Sequence, residues 1–215
     1  MTDYLLIYDK AISSFEDPIL TQIYNQSKIG FCSKMYTHLS RAIWLFNTPY
    51  YEVKKLSDAA VDPQSNTESF QGDGTTTSFV LSQTPSGEGT FLVEATVNGV
   101  KASGSYNNGT FVFDTAPTSG STILISQYLT GGFNTEVSQT ELTILALLLV
   151  SCWSEKEENF LLDIRRLLTT SDFKLHDSAS VLRSKVNWHY TKYEQAQKLM
   201  NNYSLTLMKK GVFGG

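Results

Sequence analysis

Residues 91–113 read FLVEATVNGVKASGSYNNGTFVF, and this stretch decides the fold class of the middle of the chain. It contains two Asn-Gly pairs, Asn98-Gly99 and Asn108-Gly109, each flanked by β-branched and aromatic residues. A two-residue type I′ turn needs positive φ at both central positions, and Asn-Gly meets that need at low steric cost. The stretch therefore predicts two antiparallel hairpins.

The same alternating pattern continues on both sides of these hairpins. β-Branched and aromatic runs separated by turn residues predict strands at 78–82, 91–97, 110–114 and 122–129. Strands that follow one another with no helix between them indicate a small antiparallel sandwich or barrel. We expect the polar residues 57–69 to be a connector before this unit, and Gly131-Gly132 to be a hinge after it.

Composition also separates the middle of the chain from its ends. Of the 215 residues, 68–132 hold 10 of the 14 glycines and five acidic residues, but the single base Lys101. The net charge of −4 therefore lies in this stretch, and the rest of the chain holds as many bases as acids. This balance excludes a protein that binds nucleic acid through a global basic field. A hydrophobic content of 41% excludes a wholly disordered chain.

Both ends of the chain have helical patterns. Asp17-Pro18 has the form of a helix start, and apolar residues recur at spacings of three and four from Met35 to Phe46. Ser138 and Glu141 form a capping box, which is followed by apolar runs and by a last helix from about Ser178.

The predicted fold class is therefore α+β. A discontinuous helical bundle domain is formed by residues 1–67 and 133–215, and an antiparallel β-sandwich or barrel domain, residues 68–132, is inserted in it.

The sequence offers few groups for catalysis. His38, His176 and His189 do not have metal-ligand spacing, and no nucleophile elbow, Walker loop or HExxH motif occurs. Gly72-Asp73-Gly74 lacks the Lys-Ser/Thr of a phosphate loop and the regular acidic alternation of a calcium loop, so a polar turn is favoured. We expect a protein that is not an enzyme and that has no cofactor and no metal site.

Cys32 and Cys152 are isolated in the sequence. Two buried free thiols are favoured over a disulfide, and both alternatives stay open on spacing alone. The most apolar run, residues 142–150, is about half of the ~20 residues that a membrane-spanning helix needs. With no secretory signal at Met1, we expect a soluble protein without membrane contact.

Aromatic residues supply two candidate binding surfaces. Trp188, Tyr190 and Tyr193 follow one another on the last helix and present more aromatic surface than one buried stripe covers. A subunit interface and packing within one subunit explain them equally well. Tyr106, in the loop before Asn107, is a candidate platform for a sugar, although core packing is the default for aromatics on alternating strands.

The charged residues 155–158, with Arg165 and Arg166 downstream, indicate a face of ion pairs, either solvated or between subunits. We count Arg165 and Arg166 among the candidate subunit-interface residues, together with the aromatics of the last helix.

The helical ends resemble the head-to-tail connector (neck or adaptor) proteins of tailed bacteriophages, over roughly residues 3–50 and 134–207. The N-terminal motif is DYLLIYDKAISSFEDP, residues 3–18. The motifs of the second half are ELTIL at 141–145, Trp153, NFLLD at 159–163, SDFK at 171–174 and Ser178-Ala179.

The middle of the chain resembles a different module, which is widespread in virion proteins of tailed phages. Its motifs are GDGTTTSF at 72–79, VNGV at 97–100, and FDTAP at 113–117 leading into ILI at 123–125. Connector proteins commonly lack such an insert, so the resemblance implies no role for it here.

What the connector resemblance implies is a ring, usually of about twelve copies, below the portal of the virion. The ring continues the DNA channel toward the tail, and the DNA passes without sequence recognition. Its partners are further copies of itself, the portal protein and other neck or tail proteins, and it is assembled in the host cytoplasm. By the same analogy Lys209, Lys210, Val212 and Phe213 contact the portal or a neighbouring subunit.

Two further expectations complete this interpretation. Because like charges repel, the acidic insert is expected to point away from the channel. The alternative function is a carbohydrate-binding or decoration protein of the virion that acts through the inserted β domain and Tyr106.

Overall fold

The computed structural model describes residues 1–14, 18–46, 54–87, 89–168 and 176–209. Helices and antiparallel sheets are both present, which confirms the α+β class with a sandwich-like region. The elements in chain order are β1 (Thr2–Asp3), α1 (Tyr4–Ile12), α2 (Pro18–Gln26), α3 (Lys28–Leu45), α4 (Lys54–Ala59), β2 (Ala60–Val61), β3 (Gln64–Gln71), β4 (Ser78–Val80), β5 (Phe91–Val97), β6 (Val100–Ala102), β7 (Gly104–Asn107), β8 (Thr110–Phe113), β9 (Thr122–Leu129), β10 (Gly132–Phe133), α5 (Gln139–Leu168) and α6 (His176–Lys209).

The chain divides into two compact units. The first consists of Met1–Leu5, Ile19–Ser33 and Ala60–Asn134, and the second of Leu6–Pro18, Lys34–Ala59 and Thr135–Gly215. The first unit thus contains the whole acidic stretch 68–132. Whether that stretch is an inserted domain that folds independently of residues 1–67 and 133–215 stays a prediction.

The core of the first unit lies between two antiparallel sheets, in the orders β3-β9-β5-β6 and β4-β8-β7. The predicted Asn-Gly hairpins are confirmed, since Asn98 and Asn108 have φ of 50° and 43°. Alternate residues of the strands point inward, as a half-buried sheet requires. The buried cluster between the sheets consists of Phe79, Leu81, Ala95, Phe111, Phe113, Ile123 and Ile125.

The prediction of a connector at 57–69 is wrong. Helix α4 ends at Ala59, and β3 then pairs with β9 over eight positions, from Gln64↔Leu129 to Gln71↔Thr122. The strand is polar because it lies at the edge of the sheet. It is stabilised mainly by backbone pairing to β9, which side-chain patterns do not report.

The prediction of a hinge at Gly131-Gly132 is also wrong. Gly132 lies in β10, the middle strand of a small sheet of order β1-β10-β2. A Cβ on Gly131 would lie 2.4 Å from the Val61 carbonyl oxygen, and one on Gly132 would lie 2.6 Å from that of Thr2. Glycine is needed here because three backbones approach one another closely and because Gly131 has a φ of 73°, rather than because the segment has to be flexible.

The chain crosses from one sheet of the sandwich to the other directly after β6. Strand β6 pairs with β5 only at Ala95, Thr96 and Val97. Ser103 follows, and Gly104 then pairs with Phe113 in the opposite sheet. Strand β5 is therefore longer than the neighbour that covers its outer edge.

The second unit contains the long helices α5 and α6, which pack against each other. The capping box at the start of α5 is confirmed: Ser138 N donates to Glu141 Oε2 at 2.6 Å, and Glu141 N donates to Ser138 Oγ at 3.3 Å. The predicted stripe of α3 is confirmed too, and its buried residues are Met35, Leu39, Ala42, Ile43 and Phe46. Cys32 and Cys152 are both buried free thiols.

We predict that Gly104→Ala destabilises the sandwich. A Cβ at this position would lie 2.4 Å from the Val112 carbonyl oxygen and 2.6 Å from the Phe111 ring, so the crossing would have to shift. We expect a loss of about 1–3 kcal/mol in the free energy of unfolding, measured by urea denaturation. The control is the exposed neighbour Ser105, whose change to Ala is expected to stay within about 0.5 kcal/mol. Equal effects of the two changes would contradict the prediction.

Candidate functional site

Among the described residues no three His, Cys, Asp or Glu side chains are grouped closely enough to hold a metal ion. One Ser-His contact exists, in which His189 Nδ1 lies 3.1 Å from Ser151 Oγ and 2.9 Å from the Ser151 carbonyl oxygen. A ring nitrogen that donates to a carbonyl already holds its proton, so it cannot deprotonate the hydroxyl. This contact therefore joins α5 to α6 rather than activating a nucleophile.

His38 is a structural residue of α3. Its ring lies edge-on to that of Trp153, with 5.5 Å between the centroids, and it is 6% exposed. Burial, and next the charges of Lys156 and Arg41, lower the pKa of His38 below its usual value. The ring is therefore neutral at pH 7 and packs as part of the core.

The Gly72-Asp73-Gly74 segment is a polar turn, as the sequence favours. The Asp73 carboxylate accepts hydrogen bonds from the backbone N–H of Thr75 at 2.8 Å and from the N–H and hydroxyl of Thr76 at 2.7 and 2.6 Å. The hydroxyl of Thr76 contributes most to holding the pKa of Asp73 well below its usual range, and the two backbone donors follow. All these donors belong to the turn itself, so the carboxylate closes the turn.

The predicted aromatic surface of α6 divides into an exposed residue and two half-buried ones. Tyr190 is 58% exposed. Trp188 is half-buried, with Lys192 Nζ 5.8 Å from its ring centroid. Tyr193 is half-buried too, and its hydroxyl accepts a hydrogen bond from Gln197 Nε2 at 3.0 Å. Tyr190 thus offers most of its ring to a partner, and the interface role of all three stays a prediction.

The remaining predicted contact residues lie at or beyond the limits of the described residues. Lys209 is exposed and ends α6. Lys210, Val212 and Phe213 lie outside the described residues, and so do the side chains of Arg165 and Arg166, whose backbone belongs to α5. Their contacts stay predictions.

Sequence reasoning missed Trp44, the most exposed aromatic side chain of the described residues. It lies near the end of α3 and is 72% exposed, beside the buried stripe that ends at Ile43 and Phe46. The sequence could have indicated Trp44, because it is an aromatic residue that does not belong to the buried stripe of its helix. The same criterion identified the aromatic residues of α6.

Tyr106 lies in β7 rather than in a loop, so its predicted local setting is wrong. Its half-buried ring packs against Phe91, with 5.2 Å between the centroids. Its hydroxyl accepts a hydrogen bond from Gly109 N at 3.1 Å and lies 3.5 Å from Thr84 Oγ1. The ring thus has one face in the core, and sugar binding by Tyr106 stays a prediction.

A concave site of the first unit begins at the α2–α3 corner. Ser27 caps α3, because its hydroxyl accepts a hydrogen bond from Gly30 N at 2.9 Å. The carboxylate of Glu94 on β5 accepts hydrogen bonds from Lys28 N at 2.9 Å and from Ser27 Oγ at 2.5 Å. A carboxylate at a helix N-terminus is stabilised by the unpaired amides there. Glu94 therefore attaches the start of α3 to the outer face of the sheet.

Lys101 attaches the end of α2 in the same way. Its ammonium donates to the Gln26 carbonyl oxygen at 2.8 Å and lies 3.5 Å from Glu94 Oε1. The single base of the acidic stretch thus lies at a helix C-terminus, where a cation is favoured. We call these four residues, Ser27, Glu94, Lys101 and Gln26, the corner clamp.

A groove of about 780 Å³ adjoins the corner clamp, and all of its lining residues belong to the first unit. One wall is Leu92–Ala95 of β5, and the opposite wall is Lys101–Gly104, where the chain crosses between the sheets. The other lining residues are Tyr24, Asn25, Lys28, Phe111 and Asp114. The lining combines apolar side chains with polar and charged ones, which suits a peptide better than a small metabolite. None of the residues predicted as a site from the sequence lines it.

Comparisons with known proteins leave the chain without a match. No family model, no curated protein and no solved structure is similar to it. Among the described helices, none is long and apolar enough to span a membrane.

We predict that Asp73→Asn lowers stability at neutral pH and not in strong acid. The carboxylate has a lowered pKa in the fold, so its contribution is complete above the unfolded pKa of about 4 and is lost as the pH falls through the folded pKa. Urea midpoints of the two chains from pH 7 down to pH 2 measure the effect, and the gap should narrow only below about pH 4. Asp114→Asn is the control, since no described residue is hydrogen-bonded to the exposed Asp114 carboxylate. A gap that does not depend on pH would contradict the assignment.

We predict that Glu94→Ala lowers the free energy of unfolding by about 1–2 kcal/mol, because it removes the acceptor that attaches α3 to the sheet. The control is Glu136→Ala, since Glu136 is exposed and a change there is expected to stay within about 0.5 kcal/mol. Urea denaturation followed by circular dichroism compares them. Equal urea midpoints would show that the corner clamp contributes nothing to stability.

Proposed function

We propose that the chain is a structural protein of a virion rather than an enzyme. Within that class we propose a subunit of the head-to-tail connector of a tailed bacteriophage. It forms a homo-oligomeric ring of about twelve copies below the portal and continues the DNA channel to the tail. The observation that carries this proposal is the resemblance at both ends of the chain, DYLLIYDKAISSFEDP at 3–18 and ELTIL at 141–145.

Exposed aromatic side chains on helices support the assembly part of the proposal. Trp44 on α3 is 72% exposed and Tyr190 on α6 is 58% exposed. Tryptophan and tyrosine are enriched at the energetically dominant positions of protein interfaces, where a large rigid ring is buried at little cost in entropy. A ring gives each subunit two neighbours, which is a natural use for aromatic residues exposed on one subunit.

The charge distribution supports a conduit that does not hold its DNA tightly. The acidic residues in excess lie in the stretch 68–132, and the rest of the chain is neutral. An acidic region facing DNA would repel it, so we place the β region outside the channel. The DNA then passes a surface that offers neither a strong basic field nor base recognition.

We predict that gold bound at Asn107→Cys labels the collar of the virion. Asn107 is exposed at the β7–β8 hairpin, and both native thiols are buried, so a maleimide-gold reagent should be selective. Electron microscopy of intact particles should show gold around the junction of head and tail, at the outside of the ring. Particles with the native sequence are the control.

Gold on the tail tip or over the capsid faces would overturn the connector proposal. Gold at the collar but inside the channel would agree with the connector proposal and would overturn the outward placement of the β region.

A further inference from the structure

Strand β5 has an uncovered edge beside the groove. It pairs with β9 from Phe91 to Val97, but β6 covers it only from Ala95 to Val97. The remaining part, Phe91–Glu94, is the open edge of β5. Strand β6 does not continue beside this part, because the chain crosses to the other sheet after Ala102 and Gly104 pairs there with Phe113.

The backbone groups that face the open edge follow from the pairing pattern. Thr130 N donates to the Thr90 carbonyl oxygen and Asn98 N donates to that of Thr122, so residues 90 and 98 direct their backbone groups toward β9. Because this direction alternates along a strand, Phe91 and Val93 direct theirs to the other side. No described residue forms a backbone hydrogen bond with Phe91 or Val93 on that side. These donors and acceptors are available to an added strand.

The side chains beside the open edge set requirements for that strand. Leu92, Val93, Ala102 and Phe111 give the groove its apolar surface. Asp114 is exposed on the rim, and no described residue is hydrogen-bonded to its carboxylate. Lys101 is paired with Glu94, and Lys28 also lines the groove. An occupant should therefore be extended, with an apolar centre and with a positive charge at the end that lies beside Asp114 rather than beside Lys28.

We propose that the C-terminal segment 210–215 of a neighbouring copy adds to the open edge of β5 as a strand. The inference rests on the proposed ring, since it takes the segment from an adjacent subunit. It gives the acidic β region a function in assembly, namely as the receptor for a neighbour's tail.

The chain itself supplies this occupant. The described helix α6 ends at Lys209, and six residues, KGVFGG, follow it. Extended at about 3.3 Å per residue they reach about 20 Å, more than the roughly 13 Å of the open edge. Val212 and Phe213 are the β-branched and aromatic types that strands favour, and Lys209-Lys210 carry charge opposite to that of the stretch 68–132.

The groove also argues for a single strand rather than for edge-to-edge pairing of two sandwiches. The open edge lines one side of the groove and Lys101–Gly104 the other, and Tyr24 and Lys28 of the helical corner line it as well. A lone peptide fits between these two sides, whereas a whole second sheet would meet them.

The test uses the chain that ends at Lys209 and a fluorescent peptide with the sequence of residues 205–215. We expect saturable binding by fluorescence anisotropy, and chemical-shift changes in the protein's NMR spectrum at Phe91–Glu94 and Ala102–Gly104. A peptide carrying Phe213→Asp should bind at least about tenfold more weakly, since it would place a charge in the apolar groove. A peptide of scrambled sequence is the second control.

Backbone methylation distinguishes strand addition from side-chain docking alone. N-methylation at Val212 and at Phe213 blocks amides that face opposite sides of a strand, so only one of the two peptides should lose about tenfold in affinity. In the protein, Val93→Pro removes a donor on the open edge while leaving the pairing with β9, and it should weaken binding by a similar factor. The peptide pair tests the proposal even if that variant does not fold.

Three results would overturn the inference: no binding of the native peptide, equal loss for both methylated peptides, or shift changes confined to other residues. If the full-length protein does not bind the peptide at protein concentrations where it is monomeric, its own tail occupies the groove. The assignment of the tail to a neighbouring copy would then be wrong. Peptide binding is measured without virions, so its failure leaves the collar labelling unaffected, and a failure of that labelling leaves the peptide site standing.

Discussion

The full-length pairing of β9 on both sides is the constraint on which the rest of the first unit depends. Strand β9 pairs with β3 over eight positions and with β5 over seven. Its inward residues Ile123 and Ile125 are fully buried between the sheets. Directly after it, the Thr130 hydroxyl donates to Asp3 Oδ1 at 2.7 Å and accepts from Thr90 N at 2.8 Å. The central strand thus fixes the sandwich and also holds the start of the chain.

Carboxylates then attach helices to this frame. Asp3 accepts a hydrogen bond from Leu5 N at the start of α1, and Glu94 accepts one from Lys28 N at the start of α3. Both side chains belong to strands and satisfy amides that have no partner within the helix. The negative charge of Glu94 therefore has a local role, which is to accept hydrogen bonds at the start of α3. Part of the negative charge of the stretch 68–132 thus stabilises the packing of a helix on the sheet.

Sequence patterns were sufficient to predict those elements whose structure depends on local side-chain chemistry. The Asn-Gly turns, the strands 91–97 and 122–129, the capping box and the stripe of α3 depend on local chemistry, and all were predicted. Strand β3 was missed because a polar edge strand has no apolar alternation to detect. Gly131-Gly132 was misinterpreted because close backbone approach and flexibility select the same residue.

The groove could not be predicted from the sequence, because it depends on how far β6 extends along β5. That length is set where the chain crosses at Gly104, whose missing side chain lets the backbone pass beside Phe111 and Val112. No motif in the sequence marks an uncovered edge. Lys101 was visible as the single base of the stretch, but its role at the end of α2 required the tertiary structure.

In the larger sheet the edge at β3 is protected, whereas the open edge of β5 is not. This difference indicates a function for the open edge. At β3 the strand is polar, and Glu68 accepts hydrogen bonds from Ser82 N at 2.9 Å and Gln83 N at 3.2 Å, which holds a loop against it. Natural sheets protect their edges in this manner, because an uncovered apolar edge recruits other strands. The segment Phe91–Val93 is apolar and lies beside a groove, and no described loop is hydrogen-bonded along it. An edge left unprotected in a sheet whose opposite edge is protected is better explained by a strand that arrives during assembly than by chance.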